Sequence, residues 1–222
     1  RSPRYMPPEE DFWKVYNLAS GPDRVMLLAF LHLAARRGEI FRLTWDDVDF
    51  RNDQIRLWTR KRHGGDLEFD WLPMTKMLKE ALLWWQESRP IKDDPHVFLC
   101  LEKKNFCRER YGKPFLHRQH FMGHLCERAK VKPFGFHSIR HLTASTLYKL
   151  GYVIADIQSV LRHQSATTTA KYIKSLGREG VRPALEALSQ QEGNILVFKP
   201  RDVAEGENPS EKEKAVSEAV NF

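Results

Sequence analysis

Leu161-Arg162-His163-Gln164-Ser165-Ala166-Thr167-Thr168-Thr169-Ala170-Lys171-Tyr172 sets a tyrosine nine residues after a histidine, across a polar, threonine-rich segment. Immediately upstream, the apolar-periodic run Val153, Ile154, Ile157, Val160 and Leu161, with Asp156 near its start, predicts a helix that ends at or near His163. Tyr172 then falls on the next short helical piece. A phenol with a pKa of about 10 is a poor nucleophile unless a base or nearby cations assist it, so the remaining sequence has to supply those groups.

Three stretches offer them. His137-Ser138-Ile139-Arg140 carries an imidazole and a guanidinium at i and i+3, which puts both on one side of a predicted helix over 137–150. Arg36-Arg37-Gly38-Glu39 follows a strongly apolar helix predicted over 24–35 and offers a second guanidinium. A fork of this kind matches the oxygens of a phosphate, and two of them can clamp one group from opposite sides. Lys61 lies on a predicted, mobile hairpin tip crowded with Arg60, Arg62 and His63. Its ammonium can protonate a leaving alkoxide.

Composition agrees with such a partner. The 222 residues carry a net charge of +7, which points to a polyanion, nucleic acid before an anionic membrane surface. No apolar run approaches the roughly 20 residues that span a bilayer, and no signal peptide is visible. Three cysteines, Cys100, Cys107 and Cys126, form no CxxC pair and fit a reduced, intracellular protein with buried thiols and no metal site. The first residue is Arg1 rather than methionine, and residues 1–8 read as a linker from a missing N-terminal neighbour.

Residues 9–200 read as one domain, mainly α with a small antiparallel β-sheet, an α+β chain. Acidic residues after Pro7-Pro8 open a first helix. Short runs over 48–50, 54–59 and 67–72, broken by Arg51-Asn52-Asp53 and His63-Gly64-Gly65-Asp66, predict a three-stranded meander. Helices are predicted over 74–88, with Trp84-Trp85 as packing residues, over 117–129, and over 183–191. Residues 202–222 hold six acids against two lysines, and the acidic tail over 201–222 is expected to be mobile.

Taken together, Arg36-Arg37-Gly38-Glu39-Ile40, a lysine in a β-turn, His137-Ser138-Ile139-Arg140-His141, and Leu161-Arg162-His163 followed by Tyr172 resemble the tyrosine recombinase (phage integrase) family, over roughly residues 10 to 190 and in the family's order. Trp45-Asp46-Asp47-Val48-Asp49 also matches its wording. Each residue alone has an ordinary reading as a surface, capping or core side chain; the joint pattern does not. Two departures stand out: Arg162 replaces the glycine common before the last histidine, and Ala34-Ala35 replaces the small Thr-Gly before the first arginine.

The resemblance implies a site-specific recombinase that cleaves and rejoins DNA through a 3′-phosphotyrosyl link, with neither metal nor ATP. It assigns Tyr172 as nucleophile, Lys61 as acid for the 5′ oxygen, and Arg36, His137, Arg140 and His163 as the groups around the phosphate, with Glu39 supporting Arg36. His137 either accepts the phenolic proton or hydrogen-bonds a non-bridging oxygen. Arg37, Arg60, Arg62, His141 and Arg162 are expected DNA contacts, and the resemblance implies that the missing N-terminal neighbour is a DNA-binding domain. The implied partners are double-stranded DNA, further copies of the chain in a tetramer on two sites, and accessory DNA-bending proteins, in a cytoplasmic, nucleoid-associated setting of bacterial or phage origin. A type IB topoisomerase shares the chemistry but does not exchange partners, and a DNA-binding protein could keep the fold without catalysis.

Overall fold

The computed structural model describes residues 5–60, 67–102 and 109–163. Within them the order is α1 (Glu9–Leu18), α2 (Gly21–His32), α3 (Arg37–Phe41), a 3-10 turn (Trp45–Asp47), β1 (Val48–Asp49), β2 (Gln54–Arg60), β3 (Leu67–Pro73), α4 (Lys76–Ser88), α5 (Phe121–Arg128), α6 (Phe136–Lys149) and α7 (Ile154–Leu161). The expected mainly helical chain with a small antiparallel sheet is what folds.

Helix α2 is the centre of the packing. Its residues Val25 to Phe30 are all buried, so it meets neighbours on every side rather than along one stripe. It contacts α4 and α6, with α1 alongside. The stacked rings of Phe30 and Phe136, 4.5 Å apart, join α2 to α6. Trp85 on α4 is buried and donates its indole N–H to the Val97 carbonyl at 2.7 Å, whereas Trp84 is half exposed over Gly21. Only one of the two tryptophans is a core residue. Cys100 and Cys126 are buried thiols, as expected; Cys107 lies outside the described residues.

Helix boundaries differ from the sequence-based expectation where proline or a distant partner decides them. Helix α2 starts at Gly21, because Pro22 sits in the first turn, where a missing N–H costs nothing, and Ser20 is the N-cap. The helix expected over 117–129 begins only at Phe121. Arg118 is held in the preceding loop by Asp23 and Glu102, with its guanidinium against Phe121. Thr75 caps α4 by accepting the Leu78 N–H.

The sheet has the order β1-β2-β3, all antiparallel, with Ile55 opposite Leu72 and Trp58 opposite Phe69. The alternation on β2 sends Ile55 and Leu57 into the core. Its other face carries Arg56 and Trp58, both held by Asp47, whose carboxylate accepts from the Arg56 Nε at 2.8 Å and the Trp58 Nε1 at 2.9 Å. Burial pushes the Asp47 carboxyl up, but donors on Thr44, Arg56 and Trp58 outweigh it and hold it below the ordinary carboxylate range. The sheet is thereby fixed to the turn that follows α3.

Candidate active site

Among the described residues, four helix ends turn through the same hydrogen-bond pattern, and two of them build the candidate site. At the end of α2, the Ala34 N–H donates to Leu31 and the Ala35 N–H to Phe30, with Ala34 at φ 44°. At the end of α7, the Arg162 N–H donates to Ser159 and the His163 N–H to Gln158, with Arg162 at φ 50°. This is the Schellman arrangement, which glycine favours because L side chains are strained at positive φ. Gly151 closes α6 in the same way and Lys130 closes α5. At the two site positions the chain accepts the strain, and each turn delivers a residue of the site: Arg36 after the first, His163 after the second.

Arg140 joins the two turns from beneath. It is 1% exposed, and its two amino nitrogens donate to the carbonyls of Ala34 and Leu161. Thr143, one turn on, donates to the Leu31 carbonyl at 2.7 Å and repeats the link between α6 and α2. Ala34, Ala144, Ile157 and Leu161 form a small apolar cluster around this joint.

Glu39 organises the upper part. One carboxylate oxygen accepts from the Arg36 backbone N–H at 2.7 Å and from Arg162 Nη2 at 2.6 Å. The other accepts from Arg36 Nη1 at 2.8 Å and the Thr59 hydroxyl at 2.6 Å. Burial pushes this carboxyl up, yet the Arg162 charge and the Thr59 and Arg36 donors overcome it and hold it below its usual value. Glu39 is therefore an anion that fixes α3, β2 and the end of α7 to one another.

Of the residues singled out by sequence, Arg36, Glu39, His137, Arg140 and His163 come together. His163 reads out that convergence: burial, then the charges of Arg140, Arg36 and Arg162, then His137, press its pKa down to about 4. Its carbonyl accepts from Gln158 Nε2 at 3.0 Å. His137 is exposed, and its ring meets that of the half-buried His141 edge to face at 4.7 Å. Arg37 is exposed. Tyr172, Lys61 and Arg62 lie outside the described residues, and of Arg60 only the backbone at the end of β2 is described.

Arg162 faces inward. As an expected DNA contact it should face outward; its side chain is only 5% exposed and pairs with Glu39. Thr59, and Asp70 at 4.0 Å from Arg162 Nε, complete this cluster without any signal in the sequence. Each becomes visible only when residues 20 to 123 positions apart meet.

The His163 environment sets a pH dependence. An unfolded imidazole titrates near 6.5 and the folded one near 4, so acid favours the unfolded chain in that interval. Stability is full above about pH 6.5 and falls as the pH drops through about 4. Glu39 and Asp47, with carboxyls held low, add a further loss below about pH 4. The urea midpoint is expected to decline from pH 7 to pH 3, with His163→Gln flattening the upper part. In an NMR titration the His163 ring should stay silent from pH 8 to pH 5. A midpoint near 6.5 would contradict the described surroundings.

With this geometry in hand, comparison with known proteins gives concordant results. The family model described as "Phage integrase family" matches residues 10–178. A Sinorhizobium fredii protein named for an integrase/recombinase, y4gC, is 30% identical over 165 residues, spanning 72% of this chain and 79% of its own. A second from the same strain, y4rA, is 30% identical over 161 residues, 68% of this chain but 36% of its own length. Among solved structures, XerA recombinase superposes with a TM-score of 0.64 at 19% identity, over 86% of this chain and 66% of that one. A lambda integrase dimer bound to a COC' core site gives 0.57 at 17% identity, over 81% of this chain and 50% of that one. These two likenesses show a common fold.

Proposed function

The chain belongs to the phage integrase family, and on that premise we propose that it is a site-specific recombinase in which Tyr172 cleaves and reseals double-stranded DNA through a 3′-phosphotyrosyl intermediate. The observation that carries the reading is the gathering of Arg36, Arg140, His137 and His163 at two adjoining helix ends, with a tyrosine nine residues further along the sequence. Tyr172 attacks the scissile phosphorus, and the 5′ oxygen leaves with a proton from Lys61. Arg140 acts from below as a buried positive charge and Arg36 from the half-exposed rim, both stabilising the phosphoryl group in flight. His163, neutral at physiological pH, offers one N–H donor and one acceptor to a phosphate oxygen or the phenol. The bond energy is kept in the phosphotyrosine, so resealing with a hydroxyl from another strand needs no nucleotide.

The protein works on duplex DNA as several copies, four on two sites, in a cytoplasmic, nucleoid-associated setting. Among the described residues no helix is long and apolar enough to cross a membrane. The test is to incubate the chain with a supercoiled plasmid carrying the attachment site, stop with detergent, and map the DNA-bearing peptide. An adduct on the peptide that contains Tyr172, together with joined sites, supports the reading; binding without any adduct moves the protein to the non-catalytic class. Binding itself is expected to weaken by about 10³- to 10⁵-fold between 50 and 200 mM salt if roughly 6–10 phosphates are contacted. A flat salt response would count against a DNA-facing basic surface.

A further inference from the structure

We propose that Arg162 is a positioning residue, which locks His163 and Arg36 into one unit through Glu39 rather than meeting DNA itself. The inference rests on the recombinase reading for its activity readout alone. The side chain folds back from the end of α7 across three elements. Its Nη2 meets Glu39 at 2.6 Å, and its Nη1 meets the Leu33 carbonyl at 3.0 Å and the Val160 carbonyl at 3.4 Å. Its Nε lies 4.0 Å from Asp70 on β3.

Leu33 is the C-cap of α2, just before the turn to Arg36, and Val160 belongs to the last turn of α7 before His163. One guanidinium therefore clasps both turns from above, as Arg140 does from below. Glu39 in turn holds the Arg36 backbone N–H and Nη1. The residue adopts φ 50°, where glycine would be unstrained. A side chain kept at a strained position, 5% exposed and making these contacts, is placed to brace the fold around it.

Arg162→Gly removes the guanidinium without forbidding the backbone, which makes it the informative variant. In the DNA-free protein, amide exchange at Arg36 is expected to accelerate about tenfold, because its acceptor loses the anchor on the far side. With DNA, affinity should stay unchanged while single-turnover cleavage within the bound complex slows about 10- to 100-fold, the size of effect a misplaced catalytic group produces. Combined with Glu39→Gln, the loss should not exceed the larger single loss, since both act along one chain of contacts. Arg162→Lys retains the charge but not the multiple contacts and should give the same pattern at smaller amplitude; it serves as the test if the glycine variant does not fold.

Lower affinity with a salt slope reduced by about 1 and unaltered cleavage per complex would make Arg162 a phosphate contact and overturn the proposal. So would unchanged exchange at the Arg36 amide. If the unaltered protein forms no adduct, the recombinase reading fails, and the amide exchange still decides the positioning role.

Discussion

Tyr172→Phe is expected to bind attachment-site DNA as tightly as the unaltered chain and to yield no covalent adduct, a loss on the order of 10⁴-fold or more in cleavage. Phenylalanine keeps the ring and removes only the attacking oxygen, so affinity and salt dependence should not move. The physical case for a tyrosine here comes from the field at His163. Burial disfavours any charged form, but the charges of Arg140, Arg36 and Arg162, which help hold the imidazole near pKa 4, have the sign that favours a phenolate brought beside it. The arginine charges, unlike the burial, distinguish the two signs, and they favour a negative group there, whether phenolate or phosphate. The measurement is a denaturing gel of detergent-stopped reactions, both proteins at equal DNA occupancy. An adduct that persists in the phenylalanine variant would assign the nucleophile elsewhere in the chain and break the correspondence built on the spacing of nine.

How much of this was legible in the sequence depended on whether the deciding contacts were local. Helices α2, α4, α6 and α7 and the three-stranded meander follow from periodicity and turn residues, which are local, and the sequence places them within a few residues of the observed bounds. The start of α5 was not legible. It depends on Arg118 meeting Asp23, 95 positions away. For the candidate site, residue types in order singled out Arg36, Glu39, His137, Arg140 and His163, which the fold brings together, but did not say which way each faces. His137 and Arg140 are separated by about 60° around the helix, and that difference takes one to the exposed rim and the other to 1% exposure. The inward turn of Arg162 was not legible for a related reason: an arginine in a basic chain reads as a surface charge until its partner, Glu39, is seen 123 positions earlier.

Arg140→Met is expected to lower stability by about 3–5 kcal/mol, in addition to abolishing its electrostatic part in cleavage. Methionine occupies much of the arginine's volume, so the loss is not chiefly a cavity. It comes from the Ala34 and Leu161 carbonyls, which accept from the two amino nitrogens of Arg140 in a buried joint and would be left without those donors. Each such group costs about 1–3 kcal/mol when stranded. Both carbonyls sit at the turns that carry Arg36 and His163, so the variant should loosen the site before it loosens the core around Phe30 and Leu78. The order of loss can be measured: amide exchange over residues 154–163 should rise at lower urea than exchange in α2. Arg140→Lys, whose single ammonium cannot meet both carbonyls with fork geometry, should fall between the two proteins. An unchanged urea midpoint in the methionine variant would mean that the joint is held by the apolar cluster of Ala34, Ala144, Ile157 and Leu161 alone. In that case the arginine would be retained there for its charge toward the phosphate and for nothing in the fold.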